Sequence, residues 1–168
     1  MFGLDVEAIL HYLSQYGGYF LFLVMFLEHL NVPGTPAGII MPAVGMLISK
    51  GYMPFTNAII ISLIASVLGS ITLYLIGYYF GYSLLDWLAR RSERTKRTME
   101  KLFAFSERNG NKSVLLVRFV PVARTLISLV AGVARLKIKG FVLYSTVGIF
   151  IWNLALITFG YFLGYRFF

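Results

Sequence analysis

Arg118-Phe119-Val120-Pro121-Val122-Ala123-Arg124 sets two arginines and a proline inside an otherwise apolar segment. Apolar residues begin at Val114, run on from Leu126 to Ala134, and give way to Arg135, Lys137 and Lys139. Pro121 has no N–H to donate and breaks a straight helix. The segment therefore reads as a re-entrant hairpin of two short arms, entering and leaving a membrane on one face. An arginine at membrane depth is costly unless it is paired or faces a wet cavity, so Arg118 and Arg124 are functional candidates. Guanidinium forks donate in pairs, and a broken helix frees backbone amides. Together they suit a phosphate group. The plainer alternative is that both arginines snorkel to the inner interface.

The surrounding composition supports a membrane setting. Of 168 residues, 58% are hydrophobic and only 13% charged, and cysteine is absent. A soluble domain of this size could not hide so much apolar surface. A disordered chain, a disulfide scaffold and thiolate chemistry are excluded on the same grounds. The net charge of +8 is clustered beside apolar segments, so it reads as an orientation signal and a contact for anionic lipid. Nucleic acid is not expected as a partner. Met1 to Glu7 carry two acids and no Lys or Arg, unlike a secretory signal, and the N-terminus reads as mature.

Upstream, a first apolar run covers Tyr16 to Leu27, extending back toward Ile9, and ends at Glu28, His29 and Asn31. Pro33, Gly34 and Pro36 then break the chain before a short run from Ile39 to Ile48, which reads as a second re-entrant hairpin. Phe55 to Leu85 holds one spanning helix, with a kink expected near Gly69-Ser70. Asp86 to Lys112 contains eight basic residues and four acids. Its acids, Asp86, Glu93, Glu100 and Glu107, recur every seven residues and fall near one helical stripe. Leu88, Met99, Leu102 and Phe103 can supply the apolar side. The stretch is read as one helix on the cytoplasmic surface, ended by Asn109-Gly110-Asn111. Phe141 to Phe162 is the last spanning helix.

Gly77-Tyr78-Tyr79-Phe80-Gly81-Tyr82 matches Gly160-Tyr161-Phe162-Leu163-Gly164-Tyr165. Ala43-Val44-Gly45 pairs loosely with Val130-Ala131-Gly132, and Phe55 with Phe141. With Asp86 to Lys112 placed inside the cell, the two hairpins open on opposite faces. The expected fold is thus all-α: an inverted repeat of hairpin plus spanning helix, with an amphipathic helix between the halves. The expected division is one domain over 1–168, with a first repeat at about 9–85, the surface helix at about 86–112 and a second repeat at about 113–168. The alternative is that Gly-aromatic pairs merely decorate membrane interfaces.

Glu28 is the one carboxylate outside the N-terminus and the polar segment. A half-buried Glu can carry a proton or pair with an arginine; it can also be an exposed helix end. His11 and His29 form no spaced cluster, so no metal is expected. Trp87 and Trp152 read as interface or packing residues. No Gly-rich nucleotide loop and no Ser-His-Asp arrangement is recognisable. No His follows His29, which argues against a phospho-His phosphatase.

The arginine stretch, with Ile127-Ser128-Leu129-Val130-Ala131-Gly132 behind it, resembles the signature of the DedA family, also called the SNARE-associated or VTT domain. The likeness continues through Phe141, Gly148 and Trp152. In the first half it takes in Glu28, Pro33-Gly34, Met41-Pro42-Ala43-Val44-Gly45, Gly69 and Tyr74 to Gly81. The resemblance implies a multi-pass protein of the bacterial inner membrane that moves lipids. Undecaprenyl phosphate and phospholipids such as phosphatidylethanolamine are the implied cargo. By position, Glu28 stands at the family's first essential acid, and Arg118 and Arg124 at its two essential arginines. The chain departs from the pattern at Thr35 and Ser70, where many members carry acids, and at Tyr78, where many carry Arg. Those changes shift expectation away from proton coupling and toward a zwitterionic lipid. The chain is also shorter than many members, and a further C-terminal helix is not expected.

The expectation is therefore a lipid translocase, not an enzyme, without cofactor or metal. Arg118 and Arg124 bind the lipid phosphate. Glu28 gates or couples protons. Pro33, Gly34, Pro36 and Pro121 shape the breaks that line the site. Gly17, Gly18, Gly77 and Gly81 permit close packing within one chain or in a homo-oligomer. The rivals are a proton-coupled ion exchanger built on Glu28 and a non-transporting membrane adaptor built on the 86–112 helix.

Overall fold

A computed structural model describes residues 6–30, 37–89, 93–120 and 123–167. Regular structure among them is entirely α-helical, in seven helices: α1 (Val6–His29), α2 (Ala37–Ser49), α3 (Phe55–Ala89), α4 (Glu93–Asn109), α5 (Lys112–Val117), α6 (Ala123–Val133) and α7 (Ile138–Phe167). Two stretches are long and apolar enough to cross a bilayer, Phe55–Gly81 with 27 residues and Ile138–Arg166 with 29. At a 1.5 Å rise per residue each runs about 40 Å, beyond the roughly 30 Å hydrocarbon core. Their outer faces are apolar and open: Ile60, Ile64 and Leu68 recur every four residues along α3, and Leu143, Val147, Phe150 and Ile151 do the same work on α7. Such continuous exposed apolar faces suit lipid, not water. The chain is an all-α membrane protein.

The break in α3 lies at Gly81 (φ 54°), not at Gly69-Ser70 as the sequence suggested. Gly69 stays helical because its missing side chain serves packing instead. A Cβ there would come within 2.8 Å of the Phe26 carbonyl oxygen and of the His29 Cβ on α1. A second break, at Gly17 (φ 45°), divides α1.

The polar segment also differs from expectation. Asp86 belongs to the end of α3, and the amphipathic helix α4 begins only at Glu93. Met99, Leu102 and Ser106 form its buried stripe, while Glu100 and Glu107 face outward. That stripe packs on α6 and α3, so α4 is docked on its own chain. It ends where expected, with Gly110 in the left-handed region (φ 55°) that glycine alone enters without strain.

Short helices pack on long ones from the opposite half of the chain: α2 lies on α7, and α6 on α3. Glycines make the approach close. A Cβ at Gly45 would strike the α7 backbone at Ile157 and Gly160, and one at Gly160 would strike Pro42. Gly132 and Gly77 stand in the same relation across α6 and α3, against the Tyr74 and Leu129 carbonyls. Gly45, Gly77, Gly132 and Gly160 are thus points where backbones touch, whereas Gly81 has nothing within 4 Å.

The apolar core forms two clusters. One gathers Tyr74, Val114, Ile127, Val130 and Phe141; the other gathers Leu21, Met25, Met41, Val44 and Ile157. Between them runs a polar layer. On α3 it takes in Ser66 and Ser70, and on α7 it runs from Ser145 to Asn153.

Candidate functional site

The polar layer is where the charged residues of the breaks converge. Arg118 caps the C-terminus of α5 and is 3% exposed. Its Nη2 donates to Ser128 Oγ on α6 (3.2 Å) and to Ser145 Oγ on α7 (2.8 Å). Its stem lies against Gly148, where a Cβ would sit 3.0 Å from the Arg118 Cδ. Arg124, in the first turn of α6, forms a salt bridge through Nη2 to Glu28 Oε1 at the end of α1. Its guanidinium also stacks over the Trp152 ring, 5.4 Å from the centroid, a cation–π contact. Glu28 is 4% exposed. Arg118 is therefore buried among other elements, and Arg124 is half-buried between α1 and Trp152 of α7. Glu28 is likewise no exposed helix end.

His29 is buried beside Glu28, with Nδ1 3.1 Å from the Met25 carbonyl oxygen. A carbonyl only accepts, so Nδ1 carries the proton. A small open cleft is lined by His29, Arg118, Arg124, Trp152 and Asn153. Several polar atoms around it have no hydrogen-bond partner among the described residues: Arg118 Nε, Trp152 Nε1 and Glu28 Oε2.

The residues that flank the gap between α5 and α6 are bonded to one another. The Val120 carbonyl accepts from the amides of both Ala123 and Arg124, each at 3.0 Å, and Val120 N donates to Val117 O at 2.9 Å. These amides are engaged, so they are not free to cradle an anion. The guanidinium groups and the Trp152 N–H are donors this site offers among the described residues. Pro33, Gly34, Pro36 and Pro121 lie outside the described residues, although α2 begins directly after Pro36 and α6 two residues after Pro121.

Trp152, Asn153, Ser128 and Ser145 were not singled out as site residues by sequence reasoning. Trp152 and Ser128 sat within the family-like stretches, which was the available signal. Ser145 and Asn153 offered none beyond being polar residues inside an apolar helix. Tyr78, at a position where many family members carry Arg, lies under the guanidinium of Arg135 at 5.4 Å, away from the cleft.

The charge count is unbalanced. Arg118 and Arg124 face one carboxylate; the other six acids lie at Asp5, Glu7 and between Asp86 and Glu107. Arg118 meets only hydroxyl groups among the described residues. Burying a cation against neutral dipoles alone is expensive, and an anion in the cleft would relieve it.

Comparison with known proteins bears on this arrangement. The chain matches the VTT domain over residues 32–162, which takes in Arg118 and Arg124. It is 30% identical over 162 residues to the undecaprenyl phosphate transporter A of Staphylococcus aureus, covering 92% of this chain and 77% of that protein. It is 28% identical over 163 residues to an alkaline phosphatase-like protein of Lactococcus lactis subsp. cremoris, covering 94% and 76%. Protein DedA of Escherichia coli is 31% identical over 149 residues, covering 86% and 67%. No solved structure gives a significant match. A domain match across most of the chain, carrying both arginines of the cleft within it, establishes that this protein belongs to the VTT domain (DedA) family.

Proposed function

We propose that this protein moves a lipid with a phosphate headgroup across the bacterial inner membrane, with undecaprenyl phosphate or a phospholipid such as phosphatidylethanolamine as cargo. The observation that carries the reading is the surplus of positive charge at the cleft: a buried arginine, Arg118, and a half-buried one, Arg124, against one carboxylate. A phosphate group supplies the missing anion and two or more acceptors for guanidinium N–H groups. The relative named as an undecaprenyl phosphate transporter supports this cargo class.

In this reading Arg118 and Arg124 hold the phosphate. Glu28 occupies Arg124 until the headgroup arrives, then releases it, and it is the group available to a coupling proton. Pro33, Gly34, Pro36 and Pro121 form the breaks of two re-entrant hairpins. The chain forms one domain of two inverted repeats, about 9–85 and 113–168, in a multi-pass protein, alone or as a homo-oligomer. The exchange of short helices between halves supports the repeat, because α2 on α7 and α6 on α3 are equivalent pairings. Trp152 stacks on Arg124 and orients it toward the cleft.

The test is flipping of fluorescent undecaprenyl phosphate and phosphatidylethanolamine analogues in liposomes holding purified protein. The expected result is transport of one or both by the wild type and loss in Arg124→Ala, with both proteins folded and inserted. Normal flipping by folded Arg124→Ala would overturn the site. No movement of either lipid, with or without a pH gradient, would favour an ion exchanger or an adaptor.

A further inference from the structure

Ser62, Ser66 and Ser70 follow one another at four-residue spacing on α3, so they lie along one side of the helix over about 12 Å. All three are fully buried. Ser62 is satisfied: its Oγ donates to the Ile59 carbonyl (3.0 Å) and accepts from Asn153 Nδ2 of α7 (3.3 Å). Ser66 and Ser70 are not. Neither Oγ has a hydrogen-bond partner among the described residues. A helical hydroxyl in an apolar setting ordinarily turns back to a carbonyl one turn earlier, as Thr72 does to Leu68 O at 2.9 Å. Two consecutive buried hydroxyls that forgo this bond need another partner.

Their surroundings are polar at both ends. Gly69, beside Ser70, packs on the last turn of α1, at Phe26 and His29, the turn that carries Glu28. Glu28 Oε2 is itself buried without a partner among the described residues. At the other end Ser62 meets Asn153, which lines the cleft with Trp152. The pattern recurs across the chain: Ser145 and Asn153 stand on α7 at the same offset from Ser62 and Ser70 as Gly160 from Gly77. No Lys or Arg lies on α3 within this stretch, so the serines do not form a second phosphate site.

We infer that the serine face of α3, against α7 and the end of α1, binds a short file of water that joins the cleft to the Glu28 carboxylate. Water both donates and accepts, so one molecule can serve neighbouring hydroxyls a turn apart, and a buried water needs two to four polar partners of this kind. The apolar cluster around Leu21, Ala58 and Ile157 closes the file beyond Ser62. The inference concerns hydration and stands whether or not a lipid is transported.

The chain has no cysteine, so single cysteines report without further engineering. Ser66→Cys and Ser70→Cys, in lipid nanodiscs, would be exposed to a small charged methanethiosulfonate and read by intact mass. Ala65→Cys, equally buried but in the apolar cluster, is the dry control, and Tyr52→Cys, 62% exposed, is the wet one. A thiolate forms only where water reaches it, so both serine-derived cysteines should react at least about tenfold faster than Ala65→Cys. Rates as slow as the dry control in folded protein would overturn the inference. If the cysteine variants do not fold, Ser66→Ala and Ser70→Ala decide it by Tm. Removing a hydroxyl that lacks any partner stabilises, whereas removing one bonded to water leaves Tm unchanged or lower. A raised Tm in both would overturn the water file.

Discussion

Arg124→Gln strips Glu28, a carboxylate 4% exposed, of its described ion-pair partner. The arginine side chain is itself only 13% exposed, so screening by solvent is weak. Two unit charges about 4 Å apart at an effective dielectric near 20 attract by about 4 kcal/mol. A glutamine retains one neutral hydrogen bond, worth about 1 kcal/mol. The single substitution should then cost about 3 kcal/mol, within the range for breaking a buried pair from one side. Glu28→Gln should cost less, because Arg124 keeps the Trp152 ring beneath it. The double variant, with two neutral amides facing each other, should be more stable than Arg124→Gln alone. The coupling energy expected from the cycle is about 2 kcal/mol. Unfolding in mixed detergent micelles, followed by tryptophan fluorescence, gives the four free energies. Additivity within about 0.5 kcal/mol would show that the two charges do not interact, and the gating role given to Glu28 would fall with it.

Gly132→Ala should destabilise by about 2 kcal/mol, because its Cβ would crowd Tyr78 N (2.9 Å) and the Tyr74 carbonyl and push α6 off α3. Gly110→Ala, just past the end of α4, should cost only about 1 kcal/mol, since nothing lies within 4 Å and only the positive φ resists; thermal unfolding that reverses this order would refute the close packing. Ser145→Ala removes the 2.8 Å bond to Arg118 and should lower stability by about 2 kcal/mol and reduce lipid flipping, while Thr72→Ala, on an exposed part of α3, should leave flipping unchanged.

Much of the helical layout was legible in residues that act locally. Apolar runs long enough to span a bilayer mark α3 and α7. Pro36 and Pro121 precede the helices that start after them, and Gly110 ends α4. The kink was misplaced because a glycine in a long helix has two uses, bending and close approach. Gly69 and Gly81 look alike in sequence; only the presence of α1 against Gly69 separates them. The surface helix was drawn too long because the seven-residue recurrence of acids runs through Asp86, although the helix that carries Asp86 is α3.

The site was legible as a list and not as an arrangement. Composition alone placed Arg118, Arg124 and Glu28 in an apolar chain, and the expense of a buried charge marked them out. Which arginine meets Glu28 was decided by helices far apart in the chain, across 96 residues. The same holds for Arg118, whose hydroxyl partners lie 10 and 27 residues away. A serine is comfortable in any apolar helix, because it can bond its own backbone, so its sequence context does not reveal that it faces a guanidinium or a polar seam between helices. The sequence by itself determined the long apolar spans, the proline-marked gaps between helices and the imbalance of charge within the apolar segments, since these follow from side-chain transfer energies and backbone chemistry. Only the tertiary structure decided that α6 lies on α3 and α2 on α7, and therefore which polar groups share a cleft, because that depends on glycine contacts between helices distant in the chain.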